Sequence, residues 1–192
     1  MQIVACRHWK IGMPFRQALH WGSGKRPAAT RLVVEIELAN GTKGYGETIC
    51  LLEFIEPVLV NTIVPIALQH RATDVERFTR HVFGAGYYHH KRAAVMAMAA
   101  VEMAMWDAFG RATGQPLCDL WGGVFRQQVE VSAYLFGTDA SALKTSAQQF
   151  VDAGYSSFKV KIGMDMASDI SNVEAVRGVV EIDCEDYEVL SQ

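Results

Sequence analysis

Residues 89–113 constrain the fold of this chain more than any other stretch. Ala93, Ala94, Val95, Ala97, Ala99, Ala100, Val101, Ala104 and Trp106 place apolar side chains almost all the way round a helix. Such a helix has to be covered on several sides, and its alanines let the covering elements come close. Gly114 and then Pro116 stop it. A bilayer would also cover it, but the most apolar run, residues 93–101, is too short to span one. Glu102 and Asp107 then interrupt the remainder of the helix. The expectation is a core helix in a protein with enough apolar surface to sheathe it. The composition supplies that surface, because 50% of the 192 residues are hydrophobic and 20% are charged.

Around that helix the sequence changes grammar once. Residues 31–39 (Arg-Leu-Val-Val-Glu-Ile-Glu-Leu-Ala) alternate apolar and polar side chains and read as a strand. Asn40-Gly41 follows as a hairpin turn, since both residue types tolerate positive φ, and residues 42–49 return as the partner strand. Residues 3–10 read as a third strand. Residues 12–29, with Pro14, Gly22, Gly24 and Pro27, read as a long connection of the kind that forms functional lids. Residues 56–83 turn helical, with Pro57 in a first turn and Thr73-Asp74 at an N-cap. After Gly122-Gly123 the order becomes strand (129–136), helix (141–153), strand (157–162), helix (169–180) and a further strand (181–190). That alternation implies a parallel sheet with crossover helices. The change falls between residues 115 and 128, which predicts domains at 1–115 and 116–192.

The formal charge of −3 supplies no basic field for nucleic acid or an anionic membrane. Cys6, Cys50, Cys118 and Cys184 are scattered, with no CxxC and no nearby His at metal-ligand spacing, and read as free thiols of a reducing compartment. The start, Met-Gln-Ile-Val-Ala-Cys-Arg-His, lacks the apolar run of a signal peptide, so a cytoplasmic location is expected.

Chemistry concentrates in Phe158-Lys-Val-Lys-Ile-Gly163. Side chains alternate across a strand, so Lys159 and Lys161 share one face while Phe158, Val160 and Ile162 share the other. Lysines on an amphipathic strand are ordinarily just solvated. In a strand–helix run, however, both faces of a strand are normally covered, and paired inward lysines need a reason. At the C-terminal end of a barrel strand, inward residues build the active site. Two ammonium groups this close disfavour each other's charge, so one gives up its proton and can accept one from carbon while the other steadies the developing anion.

Upstream of these lysines, Ala99-Ala-Val-Glu-Met-Ala-Met-Trp-Asp-Ala-Phe-Gly-Arg-Ala-Thr-Gly-Gln-Pro-Leu117 is followed by Leu120-Trp-Gly-Gly123. That block, the hairpin Gly41-Thr-Lys-Gly-Tyr-Gly-Glu47 and Ala175-Val-Arg177 occur in one order with the Lys-x-Lys strand. Together they resemble the mandelate racemase and muconate-lactonizing branch of the enolase superfamily over roughly residues 1–180. The resemblance implies an α+β capping domain followed by the truncated start of an α/β (TIM-type) barrel. It also implies a Mg²⁺-dependent lyase or isomerase that removes a proton next to a carboxylate of a small substrate such as an acid sugar. On it, Lys161 matches the base, and Lys159 the partner that disfavours its charge and contacts the substrate carboxylate. The connection 12–29 matches a mobile substrate-selecting loop, with His20, Trp21, Lys25 and Arg26 as candidate substrate contacts. A second specificity loop falls near residues 48–54, whereas Glu47 reads as structural. Residues 129–136 look more like the first barrel strand of glucarate-type dehydratases than that of muconate cycloisomerases. Racemases, epimerases and cycloisomerases of the branch share the same first proton removal. A homo-oligomer is the expected state.

The chain departs from that family at its end. The implied metal ligands lie on the third, fourth and fifth barrel strands, and where the first should fall the sequence reads Tyr187-Glu-Val-Leu-Ser-Gln192. Asp183, Glu185, Asp186 and Glu188 do not resemble the apolar strand ending in Asp-Ala-Asn expected there. These 192 residues are therefore expected to bind no Mg²⁺, to lack activity alone, and to self-associate through unfinished sheet edges. A competing reading from another class is a non-catalytic interaction module built on the capping domain.

Overall fold

The computed structural model describes residues 1–21, 24–50, 53–85, 91–137, 139–163 and 165–180, with the side chains of Gln17, His20 and Trp21 outside that description. It divides into two compact units. The first comprises Met1–Met13 and Ala29–Gln127; the second comprises Pro14–Ala28 and Gln128–Gln192.

Three strands open the chain: β1 (Ile3–Trp21), β2 (Gly24–Leu38) and β3 (Lys43–Ile49), in sheet order β1-β2-β3. The expected connection over residues 12–29 is instead the distal part of β1 and β2. Its prolines and glycines suggested a loop, but β3 pairs with β2 only from Arg31 onward. Pro27 therefore sits where β2 has no β3 neighbour, and Pro14 sits on the outer strand β1. A proline facing an open edge breaks no ladder bond. The β2–β3 turn also differs in detail from its expectation. Among the described residues no non-glycine has positive φ, and Gly41 alone in this turn adopts it, at +82°. The Gly41 N–H donates to the Leu38 carbonyl (2.8 Å), the Leu38 N–H to the Thr42 carbonyl (2.8 Å), and the Thr42 N–H to Asn40 Oδ1 (3.1 Å). Asn40 thus braces the turn through its side chain.

Helical segments follow as α1 (Ile55–Val58), a π turn (Leu59–Ile63), α2 (Val64–Ala67), α3 (Val75–Gly84), α4 (Lys91–Thr113) and α5 (Leu117–Leu120). The π turn was not legible in the sequence. Pro65 has no N–H to give the Asn61 carbonyl, and a widened turn just ahead of it accommodates that gap. Asp74 is the N-cap residue of α3, yet its carboxylate accepts the Arg71 N–H (3.1 Å) and makes no capping bond.

One core joins these elements. Leu32, Val34, Ile36 and Leu38 project from one face of β2 and are essentially fully buried. They belong to one cluster with Ile55, Leu59 and Ile63, Phe78 and Val82, and Ala97, Ala100, Val101, Ala104, Met105 and Ala108 of α4. By length and composition α4 could cross a membrane, but here a broad face of it is core. Its alanines explain Gly44 and Gly46 on β3: a Cβ at Gly44 would collide with Ala104 and Ala108, and one at Gly46 with Ala100, Met103 and Ala104. Glycine against alanine at every turn seats the strand directly on the helix backbone.

The second unit contains β4 (Ala133–Leu135), α6 (Ala140–Asp152), β5 (Phe158–Val160) and α7 (Met166–Arg177). β4 and β5 pair in parallel across the α6 crossover, as the alternation predicts. Both strands are shorter than expected, because pairing covers only Ala133–Leu135 against Phe158–Val160; Val129 and Val131 remain exposed. Leu135, Leu143, Ala147, Val176 and Val180 form the buried core, with Phe150, Val151, Phe158, Val160 and Val179 packed on it. Asp139 caps α6 by accepting from the Ser141 and Ala142 N–H groups, and Asp165 caps α7 by accepting from the Ser168 N–H. The strand expected over residues 181–190 lies outside the described residues.

Candidate functional site

The lysine strand is built as its alternation requires. Phe158 and Val160 turn toward the core with α6 and α7, which leaves Lys159 on the opposite face, exposed. Strand geometry continues one residue past β5, because the Lys161 N–H donates to the Leu135 carbonyl at 3.0 Å. Lys161 is half-buried. The two lysines therefore share the face that the helices do not cover.

Tyr134 is the contact that sequence reasoning missed. It pairs with Lys159 across the parallel ladder, and the Lys159 ammonium lies 5.2 Å from the centre of its ring. Phe136 stands beside Tyr134 with ring centroids 4.1 Å apart. A cation over an aromatic face gains about 0.5–1 kcal/mol at an exposed site. No local pattern signals this pair, since it depends on the register between strands separated by a helix. Immediately after the lysines, Gly163 has φ +107° and donates its N–H to Asp169 Oδ2 at 2.8 Å, tying the turn to the first part of α7.

The other sequence candidates are placed less completely. The backbones of His20 and Trp21 lie in β1, while their side chains fall outside the description. Lys25 on β2 is exposed and Arg26 is half-buried. Residues 14–28, which carry all four, belong to the same compact unit as Lys159 and Lys161. The proposed second loop at 48–54 includes the end of β3, and its residues 51–52 lie outside the description. Glu47 pairs with Arg31 Nε at 3.4 Å, a cross-strand surface contact.

A second polar cluster was unforeseen. Glu35 is 5% exposed on the β2 face opposite the apolar row. Its carboxylate accepts from the Tyr45 hydroxyl (2.8 Å), Arg7 (2.8 Å) and Lys43 (3.4 Å). The Tyr45 hydrogen bond, then those of Lys43 and Arg7, hold it below the usual carboxylate range against the effect of burial. Each oxygen is satisfied, so the cluster staples β1, β2 and β3 together. Nearby, Lys10 and His8 share Glu56, and Lys10 chiefly lowers that carboxyl as well. Burial pushes the Cys6 thiol up to about 11, which makes it an inert packing group.

Among the described residues no group of three or more His, Cys, Asp or Glu side chains converges as a metal site. The described residues therefore do not fit the Mg²⁺ that the family resemblance implies, and no step of the proposed chemistry runs through a metal.

Residues 2–122 match the family described as mandelate racemase / muconate lactonizing enzyme, N-terminal domain. The chain is 26% identical to an N-succinyl-L-Arg/Lys racemase of Bacillus cereus over 184 residues, covering 92% of this chain and 48% of that protein. The crystal structure of the racemase superposes with a TM-score of 0.86, covering 95% of this chain and 50% of that one. A cis-3-hydroxy-L-proline dehydratase of Roseibium aggregatum is 27% identical over 94% of this chain and 50% of its own length. An arabinonate dehydratase of Saccharolobus solfataricus is 28% identical over 78% of this chain and 42% of its own. The chain thus spans about half the length of the curated relatives it matches.

Proposed function

Because the chain belongs to the mandelate racemase / muconate lactonizing enzyme family of the enolase superfamily, we propose that it forms the capping domain and first barrel strands of an enzyme that abstracts a proton next to a carboxylate. Lys161 is the base and Lys159 the partner that contacts the substrate carboxylate. The observation that carries this reading is the shared uncovered face of the two lysines, with Lys159 held over Tyr134. On the family resemblance Lys161 takes the proton, while Lys159 lies against the Tyr134 ring on the same face. The C–H electrons move toward the carboxylate as the proton passes to Lys161 Nζ, and the Lys159 ammonium faces the charge that develops.

The finer reading is elimination of water from a small acid sugar. The strand over residues 129–136 and the arabinonate dehydratase relative support it, and the cis-3-hydroxy-L-proline dehydratase supports the loss of water alone. A racemase relative covering as much of the chain supports a second reading, in which the same intermediate is reprotonated. The two share the Lys161 step and diverge only afterwards. His20, Trp21, Lys25 and Arg26 are proposed as the substrate contacts, on the strength of their place in the lysine-bearing unit.

Deuterium exchange at the carbon beside the carboxylate tests the proposal, in the protein carried to the full length of its relatives. Lys161→Ala should slow exchange by about 10²–10⁴-fold, the usual contribution of a general base. Lys159→Ala should slow it less. Wild-type exchange in Lys161→Ala would overturn the assignment.

A further inference from the structure

Away from the lysines, a dense cluster of titratable side chains sits at the turn between α2 and α3. His70 is 4% exposed, and its Nε2 lies 3.0 Å from Nδ1 of His81. The two rings meet edge-on at 5.3 Å, and Phe78 stands edge-on to His70 at 6.0 Å. From the start of the chain, the His70 carbonyl accepts from the Ile3 N–H (3.3 Å) and from Gln2 Nε2 (3.1 Å), and the Met1 carbonyl accepts from the Ala72 N–H (2.9 Å). Of two facing ring nitrogens, one must carry hydrogen and the other a lone pair. The contact therefore survives with one imidazole charged but not with both, when each nitrogen would be a donor.

Beside the pair lies a crevice of about 390 Å³ lined by Gln69, His70, Arg77, Arg80 and His81. Every lining side chain can donate a hydrogen bond, and none is a carboxylate. The acidic groups of the neighbourhood, Asp74 and Glu76, line an adjoining crevice that shares the same two arginines. Glu76 pairs with Arg80 at 2.7 Å, while Arg77 has no ion-pair partner among the described residues. Arg71, next in the chain, is exposed. Burial first, then His81, hold His70 below the usual histidine value of 6.5; Asp74 acts the other way, and Arg77 adds a smaller lowering effect.

We propose that this crevice binds a tetrahedral oxyanion, sulfate- or phosphate-like, and that its affinity is coupled to protonation of the His70–His81 pair. Guanidinium groups match such oxygens in pairs, and Arg77 has no ion pair among the described residues. Each proton taken up by the pair adds positive charge beside Arg77 and Arg80, and a dianion between them offsets that repulsion. Coupling is reciprocal, so protonation must tighten the anion by the factor with which the anion favours protonation. The site lies wholly in the first unit and does not rest on the lysine reading.

Sulfate is the probe, since it keeps its charge across mildly acidic and neutral pH and any pH dependence then belongs to the protein. The 192-residue chain is titrated at constant ionic strength while the His70 and His81 ring resonances are followed. The expected result is saturable binding that tightens about fivefold or more between about pH 7.5 and about pH 5.5. Arg77→Gln should abolish it, and His81→Gln should keep saturable binding while flattening its pH dependence. Both replaced residues are exposed, and the amide introduced by His81→Gln can still hydrogen-bond the buried His70. Phenyl phosphate in a parallel titration separates a site open to phosphate esters, where it competes with sulfate, from one that admits the free anion alone. Equal binding by wild type and Arg77→Gln, or a wild-type affinity that ignores pH, would overturn the proposal.

Discussion

The two units differ in how completely they are built. In the first, β2 lays four buried side chains onto helices on the same face, and α4 is locked to β3 by glycine against alanine. In the second, β4 and β5 pair over three residues each and rest on two helices, and among the described residues five buried side chains make their core. The residues proposed to carry chemistry lie in the second. The contrast is one of construction: the first unit closes a core of many elements, and the second sets Lys159 on the strand face away from α6 and α7.

The contrast breaks most directly at Phe78, fully buried at the centre of the first core. Phe78→Ala should cost the first unit about 3–5 kcal/mol, from lost transfer energy plus the cavity left behind. Urea denaturation followed by a probe in each unit should show the loss in the first and little change in the second. A uniform shift in both would mean that they unfold as one body.

A smaller effect is expected at Gly46. An added methyl group meets the α4 backbone, which cannot yield as a side-chain end would. Gly46→Ala should destabilise the first unit by about 1–3 kcal/mol through overpacking. Thermal unfolding checks this, and a neutral result would show that β3 can lift from α4 at little cost.

Smallest is the cap of α6. Asp139→Ala removes the acceptor for two N–H groups and should cost about 1 kcal/mol, confined to the second unit. Circular dichroism during unfolding would sharpen the comparison by showing how thin that unit's margin is.

What the sequence made legible depends on the range of the interaction. The alternation in residues 31–39 gave the β2 core face directly, and the composition of residues 89–113 gave α4 as a core helix. Period 2 also put Lys159 and Lys161 on one face. Longer-range facts stayed hidden. The close seating of Gly44 and Gly46 was one, because their partner, α4, lies far along the chain. Pro14 and Pro27 read as loop signals because an open strand edge cannot be seen from composition. Tyr134 under Lys159, the Glu35 staple and the His70–His81 contact each need a register or a turn to bring them together. Residues 48–54 and the tail after Val180 lie partly or wholly outside the described residues, so expectations there stay as expectations.

Native-state hydrogen exchange on the 192-residue chain tests the division itself. The account predicts that amides of β2 and of the buried face of α4 exchange only through global unfolding of the first unit. The ladder amides of Ala133 and Lys161, which donate to Ser157 and Leu135, should exchange about 10²-fold faster or more, through local opening of the second unit. Equal protection in the two units would contradict the account, and would mean that the lysine strand belongs to a body as firmly closed as the core beneath β2.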